Sequence, residues 1–390
     1  MTALHYLRST VQKPNTNFLF RTVYAKDVFK LLRGIPNGKA TGMDNIQVRL
    51  FKTCAPAIAD GLTYIINLSF RSGVFPAEWK QARVSPIFKK GAKTDPGNFR
   101  PVSVLPVVSK IIERIAHKQL YEFLAEHKLL CNQQSGFRRK HSCQSSLHRL
   151  TEYFYDDLYN GKVVGMVAVD LKKAFDTVDH AILAKKLQHY GVDGSELCWF
   201  KSYLENRTQV CSLYNNLSDP QVVKCGVPQG SIVGPLLFVL YVNDMPGCFT
   251  ECQANIYADD TAFYYGDYCV KRINAVLQAE LQQLYDWLCA NKLSLHVGKT
   301  CCILISSRQK RMHLADGLNV HLDNQKITEV ESVKYLGITI DYKLRYDVYM
   351  LDLVGKLNRA IGVLRRASKY VNQATRILIY NTLVLPHIEY

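Results

Sequence analysis

The chain has 390 residues, a formal net charge of +16, and 48% hydrophobic residues. That length can bury a sizeable core in two or three subdomains, and that apolar share excludes a disordered basic tail. A cationic surplus on a folded chain points to a polyanionic partner, with nucleic acid ahead of an acidic membrane.

The start, Met1-Thr-Ala-Leu-His-Tyr-Leu-Arg8, lacks the basic opening and apolar block of a signal peptide. Helical spacing of apolar residues predicts helices over Ala25 to Arg33 and, more clearly, Ala55 to Phe70. Between them Gly34-Ile-Pro-Asn-Gly-Lys-Ala-Thr-Gly42 breaks the first helix as a basic loop. Residues 82–88 read as a strand running into the loop Lys89 to Gly97, and Val107 to His127 as an amphipathic helix. Val163-Val-Gly-Met-Val-Ala-Val169 is the continuous apolar run of a buried strand, and it ends on Asp170. A helix from Ile182 to Tyr190, closing at Gly191, follows. Ser231 and Pro235 open an apolar helix running to Tyr241. The longest apolar run, Pro235 to Val242, falls far short of the ~20 residues a membrane helix needs. A hairpin, a helix from Val270 to Ala290, and strands near Cys302–Ser306 and Val333–Ile340 come next. The last fifty residues read as helical and basic. Strands and helices interleave without strict alternation, so the fold class is α+β. The reading is of an intracellular protein, nucleus and cytoplasm both open. Its twelve cysteines are then reduced thiols, and neither Cys248-x3-Cys252 nor Cys301-Cys302 has partners at zinc spacing. No structural metal and no disulfide is expected.

The chemistry centres on Asn255-Ile-Tyr-Ala-Asp-Asp-Thr-Ala-Phe-Tyr264, where two carboxylates sit at the tip of an aromatic hairpin. Two such anions at 4 Å repel by about 1 kcal/mol in water and roughly 4 at an effective dielectric of 20. A hard divalent ion such as Mg²⁺ relieves that repulsion through carboxylate oxygens. For Asp259 and Asp260 alone, a solvated turn is the competing reading. For Asp170 alone it is a helix N-cap after a strand. Together the three carboxylates form the donor set of a two-metal phosphoryl-transfer site, whose ions stand about 3.5–4 Å apart.

Five blocks in order resemble reverse transcriptases. They are Asn98-Phe-Arg-Pro-Val-Ser to Ile-Ile-Glu113, Gln134-Ser-Gly-Phe-Arg-Arg-Lys-His-Ser142, Val169-Asp-Leu-Lys-Lys-Ala-Phe-Asp-Thr-Val-Asp-His180, Gly226-Val-Pro-Gln-Gly-Ser-Ile-Val-Gly-Pro235 and Tyr257-Ala-Asp-Asp260. The likeness is to the polymerase of non-LTR, LINE-type retrotransposons of the jockey and chicken-repeat kind, and covers roughly residues 20 to 390. A lone Tyr-x-Asp-Asp is weak; five ordered blocks are specific.

The resemblance implies a right-hand polymerase of fingers, palm and thumb: an extension over 1–21, a helical region with fingers over 22–160, a palm over 161–340, and a partial thumb over 341–390. By likeness Asp170, Asp259 and Asp260 are metal-binding carboxylates, with the Leu171 carbonyl helping to hold the nucleotide-bound ion. Two Mg²⁺ ions are implied, Mn²⁺ being an alternative. Phe175 matches the bulky gate that excludes a ribose 2′-hydroxyl; an ordinary core aromatic is the competing reading. Lys89 and Arg100 match triphosphate contacts, Arg bidentate and Lys a point charge, although Lys90 equally fills the first role. Gln229 and Gly230 fall against the nucleotide and template base. Lys299 matches a lysine proposed to protonate the pyrophosphate leaving group; a strand-edge lysine is its competing reading. Tyr335, Leu336 and Gly337 resemble the primer-grip hairpin. Arg138, Arg139 and Lys140 suit a template backbone. Residues 341–390, with eight Lys and Arg against four Asp and Glu, suit a helix lying along a duplex.

The implied activity is RNA-directed DNA synthesis from dNTPs on an RNA template and a DNA primer. LINE-type proteins carry an endonuclease ahead of the polymerase, for which the chain has no room, and the thumb stops mid-segment at Tyr390. A truncated gene model or a decayed copy is the expectation. Two other functions compete: an inactive nucleic-acid-binding remnant, and an RNA-dependent RNA polymerase, which Phe175 disfavours.

Overall fold

The computed structural model describes residues 2–213, 216–313 and 316–390, apart from the side chain of residue 313. The chain divides into two compact units that alternate in sequence. The first comprises Met1–Phe137, Leu171–Cys248 and Gln283–Ser294; the second comprises Arg138–Asp170, Phe249–Gln282 and Leu295–Tyr390.

In the first unit the helices Ala25–Arg33, Ala55–Ser72 and Val107–Glu126 lie where apolar spacing puts them. The strand Ala82–Phe88 pairs antiparallel with Phe99–Val104 and parallel with Arg207–Leu213. A helix over Gly194–Leu204 lies outside the sequence reading. Its Leu197, Trp199, Phe200, Tyr203 and Leu204 are buried, so it is apolar on more than one face and lacks a clean amphipathic stripe. Trp199 anchors an aromatic core, with its ring 5.4 Å from both Phe70 and Phe75 and stacked on Tyr203 at 5.9 Å. Edge-to-face and offset contacts of this kind add to the area that each ring buries. The helix Gly234–Val242 is buried at every residue but Pro235. Below it, the fully buried Lys186 ammonium meets Asp244 at 2.6 Å.

The second unit is built on a five-stranded sheet in the order Thr328–Glu329, Cys301–Ile305, Val163–Val169, Asp260–Asp267, Gln253–Tyr257. The central strand pairs antiparallel on both sides, with Val169 opposite Thr261 and Ala168 opposite Cys301. Six of its seven residues are buried, as its apolar run requires. The helix Cys143–Tyr159, also outside the sequence reading, covers the sheet with Leu147, Leu150 and Phe154 against Val164, Met166 and Tyr264. It opens on a reciprocal cap, Ser142 with Ser145. The expected strand near Val333–Ile340 is a hairpin, Ser332–Tyr335 with Ile338–Asp341. The C-terminal residues form helices, of which Asp347–Ala367 buries no residue fully. Among the described residues no helix is long and apolar enough to cross a membrane.

Candidate active site

The ladder of the second unit's sheet positions the carboxylates. Val169 pairs with Thr261, so one further step in that antiparallel register sets Asp170 across from Asp260. On the other side Ala168 pairs with Cys301, so two further steps set Lys299 across from Asp170. There the Lys299 ammonium lies 3.6 Å from Asp170 Oδ2. Asp170 is also held by its backbone: its carbonyl accepts from the His296 amide at 2.8 Å, and its amide donates to Thr300 Oγ1 at 3.4 Å.

The hairpin carrying the other two carboxylates closes tightly. Tyr257 pairs with Asp260, leaving only Ala258 and Asp259 in the turn. Ala258 takes φ +58° while buried. A two-residue hairpin turn needs positive φ at its first position, and a residue with a Cβ pays about 1 kcal/mol to adopt it. The result presents Asp259 at the tip and Asp260 at the head of the returning strand, both with exposed surface. Partial desolvation, then Asp259 and Asp170, push the Asp260 carboxyl up to about 6. The three anions therefore share one field.

Among the described residues no three His, Cys, Asp or Glu side chains are drawn in to ligating distance. Asp170 Oδ2 faces the Lys299 ammonium. The donor set fits a hard divalent ion all the same: oxygen ligands only, on backbone fixed by the ladder, with a raised carboxyl that a cation would bring down.

In the same unit, the hairpin of Tyr335, Leu336 and Gly337 turns through φ +46° and +89° at its last two residues, the left-handed pair of a tight hairpin turn. Tyr335 Oη donates to the Asn255 carbonyl at 2.9 Å, and Asn255 Nδ2 donates to the Ser146 carbonyl at 2.7 Å. This hairpin is thus fastened to the strand that ends at Tyr257. Arg138, Arg139 and Lys140 form the loop before the Ser142 cap; Arg139 and Lys140 are exposed and Arg138 half-buried.

The first unit gathers the remaining predicted residues. Ile87 pairs with Arg100, and the Lys89 amide continues the ladder to the Asn98 carbonyl at 2.9 Å. Directly paired and alternate residues share a face, so Lys89 lies with Arg100, both exposed. Lys90, one residue on, is out of that register.

Two glycines let backbone approach backbone in the Gly226–Ser231 loop. Gly226 has φ +84°, and a Cβ there would meet the Asp176 backbone at 2.7 Å. Gly230 has φ +113°, and a Cβ there would collide with the Ser103 carbonyl. The Val227 amide donates to the Phe175 carbonyl at 2.8 Å, and the Ser103 amide to the Gln229 carbonyl at 2.7 Å. Phe175 and the strand carrying Arg100 are thereby tied to one loop. The Phe175 ring, half-buried, stacks on Phe238 at 4.2 Å and meets Phe137 edge-on at 6.1 Å. Leu171 is buried at the start of this segment.

Two carboxylates that hold this loop were absent from the predicted site. Gln229 Nε2 donates to Asp176 Oδ1 at 2.8 Å. Glu113, fully buried, accepts the amides of Ile232 at 2.7 Å and Val233 at 3.3 Å and the hydroxyls of Ser109 and Tyr203. An anion on the two amides leading into the helix Gly234–Val242 also suits the helix dipole. Both residues stand within recognised blocks, yet the amides and the glutamine that they hold lie far along the chain.

Residues 87–340 match the family model described as reverse transcriptase (RNA-dependent DNA polymerase). The chain belongs to the reverse transcriptase family. Among curated relatives, this reverse-transcriptase chain is 29% identical over 387 residues to the probable RNA-directed DNA polymerase from transposon BS of Drosophila melanogaster, covering 92% of this chain and 42% of the relative. It is 27% identical over 380 residues to the RNA-directed DNA polymerase from mobile element jockey of the same fly, covering 94% of this chain and 41% of the relative. With the X-element polymerase of that fly the figures are 25% over 363 residues, 91% and 39%. The chain spans about two fifths of the length of these relatives. Enzymes of the reverse transcriptase family use divalent metal ions and act on nucleic acid with nucleotide substrates.

Proposed function

We propose that this chain is an RNA-directed DNA polymerase of a non-LTR retrotransposon, extending a DNA primer with dNTPs on an RNA template inside the cell. The observation that carries this reading is the meeting of Asp170, Asp260 and the hairpin-tip Asp259 in one register of the second unit's sheet. Fingers over 22–160, palm over 161–340 and thumb over 341–390 belong to the same proposal.

In this reading Asp170, Asp259 and Asp260, with the Leu171 carbonyl, hold two Mg²⁺ ions, or Mn²⁺ in their place. When bound, such ions polarise phosphoryl oxygens and offset charge developing in an in-line displacement. The chain's own residues supply positioning and charge, the main terms in phosphoryl transfer. Lys89 and Arg100 neutralise the triphosphate from one face of their hairpin. Gln229 and Gly230 hold nucleotide and template base, and Phe175 leaves no room for a 2′-hydroxyl. Lys299, an ammonium at Asp170, supplies a proton to the departing pyrophosphate. The Tyr335 to Gly337 hairpin grips the primer end, and Arg138, Arg139 and Lys140 follow the template backbone.

The test is primer extension on an RNA template with Mg²⁺ or Mn²⁺, offering dNTPs and NTPs separately. Incorporation of dNTPs that stops on chelation is expected. Tight template binding with no extension under either metal would leave a nucleic-acid-binding remnant, and preferential NTP incorporation would make the product RNA.

A further inference from the structure

We propose that Asp176 is a positioning residue that fixes which end of the Gln229 amide meets the incoming nucleotide, making that contact selective for a hydrogen-bond donor on the ligand. The inference rests on the polymerase reading above and adds to it the chemistry of one contact.

The 2.8 Å bond from Gln229 Nε2 to Asp176 Oδ1 has one possible polarity. A carboxylate only accepts, so the amide nitrogen must be the end that faces it. The oxygen and nitrogen of a glutamine are otherwise interchangeable in outline; here the partner removes that freedom. Gln229 Oε1 is consequently directed away from Asp176, as an acceptor.

The backbone on both sides keeps the amide from swinging. The Gln229 carbonyl accepts from Ser103 at 2.7 Å, the Gly226 amide donates to Val178 at 2.8 Å, and the Val227 amide donates to Phe175 at 2.8 Å. Cys225 Sγ adds a contact to the Asp176 carbonyl at 3.3 Å. Downstream, Glu113 holds the Ile232 and Val233 amides. Gln229 is therefore a fixed acceptor, and its anchor Asp176 is the residue after Phe175. A sugar hydroxyl or a base amine satisfies such an acceptor. A ligand presenting another acceptor there leaves two lone pairs opposed, the kind of mismatch that polar sites reject most strongly.

The test is an exchange of the two side chains' chemistry. Gln229→Glu places two carboxylates face to face. The double variant Asp176→Asn with Gln229→Glu restores the bond, Asn Nδ2 donating to one glutamate oxygen and leaving the other as an acceptor toward the ligand. Melting temperature and steady-state dNTP extension are compared for the wild type, both single variants and the double variant. Gln229→Glu is expected to melt lower and to raise KM for dNTP about tenfold, the scale of one lost hydrogen bond, with a smaller change in kcat. The double variant is expected to regain the melting temperature and most of KM. Melting restored without KM would overturn the acceptor role; neither restored would overturn the pair itself. A wild-type chain that extends no primer would overturn the polymerase reading and the ligand half of this proposal, and the melting comparison would still decide the pair.

Discussion

Asp170, Asp259 and Asp260 reach one place because an antiparallel ladder and a two-residue turn leave no other register. Their roles in the sequence could be argued from residue type and block, since carboxylates at a strand end and a hairpin tip carry their own rationale. Phe175 is another such residue, and its ring stacks on Phe238 and meets Phe137 edge-on. Phe175→Ala should admit ribonucleotides, read as a fall in the dNTP-to-NTP ratio of kcat/KM; unchanged sugar discrimination would remove the gate role. Because the ring is half-buried, the same variant should cost less than the ~3–5 kcal/mol of a fully buried Phe→Ala. Glu113 and Asp176 were not legible as functional. Their bonds to the loop and to the helix start reach Ile232, Val233 and Gln229, more than fifty residues away, and no local pattern announces a long-range bond. Glu113→Ala strands two amides and two hydroxyls in the interior, and each unsatisfied buried group costs about 1–3 kcal/mol. A loss of at least about 4 kcal/mol in urea unfolding is expected, with Glu113→Gln, which keeps an acceptor, losing less.

At the scale of elements, the legible ones had either a continuous apolar run or an apolar stripe at helical spacing, and a clear stop. The run Val163–Val169 ended on a carboxylate, and Val270–Ala290 kept helical spacing throughout. Gly194–Leu204 was illegible because aromatic residues surround it on several sides, a composition that favours strands as readily as helices. Cys143–Tyr159 is less legible, although Leu147, Leu150 and Phe154 keep helical spacing, because its cap uses Ser145 where a Glu or Gln is the usual signal. The helix His180–His189 starts two residues earlier than the expected Ile182, because Asp179 caps it by accepting the Ile182 amide at 2.9 Å. Burial alone would raise the Asp179 carboxyl, but the Lys292 ammonium and the amides of Ile182 and Ala181 outweigh it and hold the group below its usual range. A carboxyl lowered on folding stabilises the fold above its unfolded pKa of about 3.9. That contribution fades as pH falls through the lower folded value. Asp179→Asn should therefore melt below the wild type at pH 7, and the gap should close as pH falls below 4; a gap independent of pH would exclude the linkage.

At the scale of the whole molecule, the charge of +16 pointed to a polyanionic partner before any motif did, and the composition alone could not place the cations. The structure puts them on exposed elements: the Lys89 and Arg100 face, the Arg139 and Lys140 loop, and the C-terminal helices. Phosphate contacts of this kind release counterions, so affinity for a primer–template duplex should fall steeply with salt. Six such contacts imply a loss of roughly 10³-fold between 50 and 200 mM, measurable by fluorescence anisotropy; a flat salt response would deny the cationic surface its role. The central claim is that the Asp170, Asp259 and Asp260 cluster performs phosphoryl transfer. Its most direct test is primer extension on an RNA template by the wild type and by Asp259→Ala, at matched folding and template affinity. The expected result is dNTP incorporation by the wild type and, in the variant, loss to below about one per cent, the scale of removing a main electrostatic contribution. Undiminished product from Asp259→Ala would contradict it.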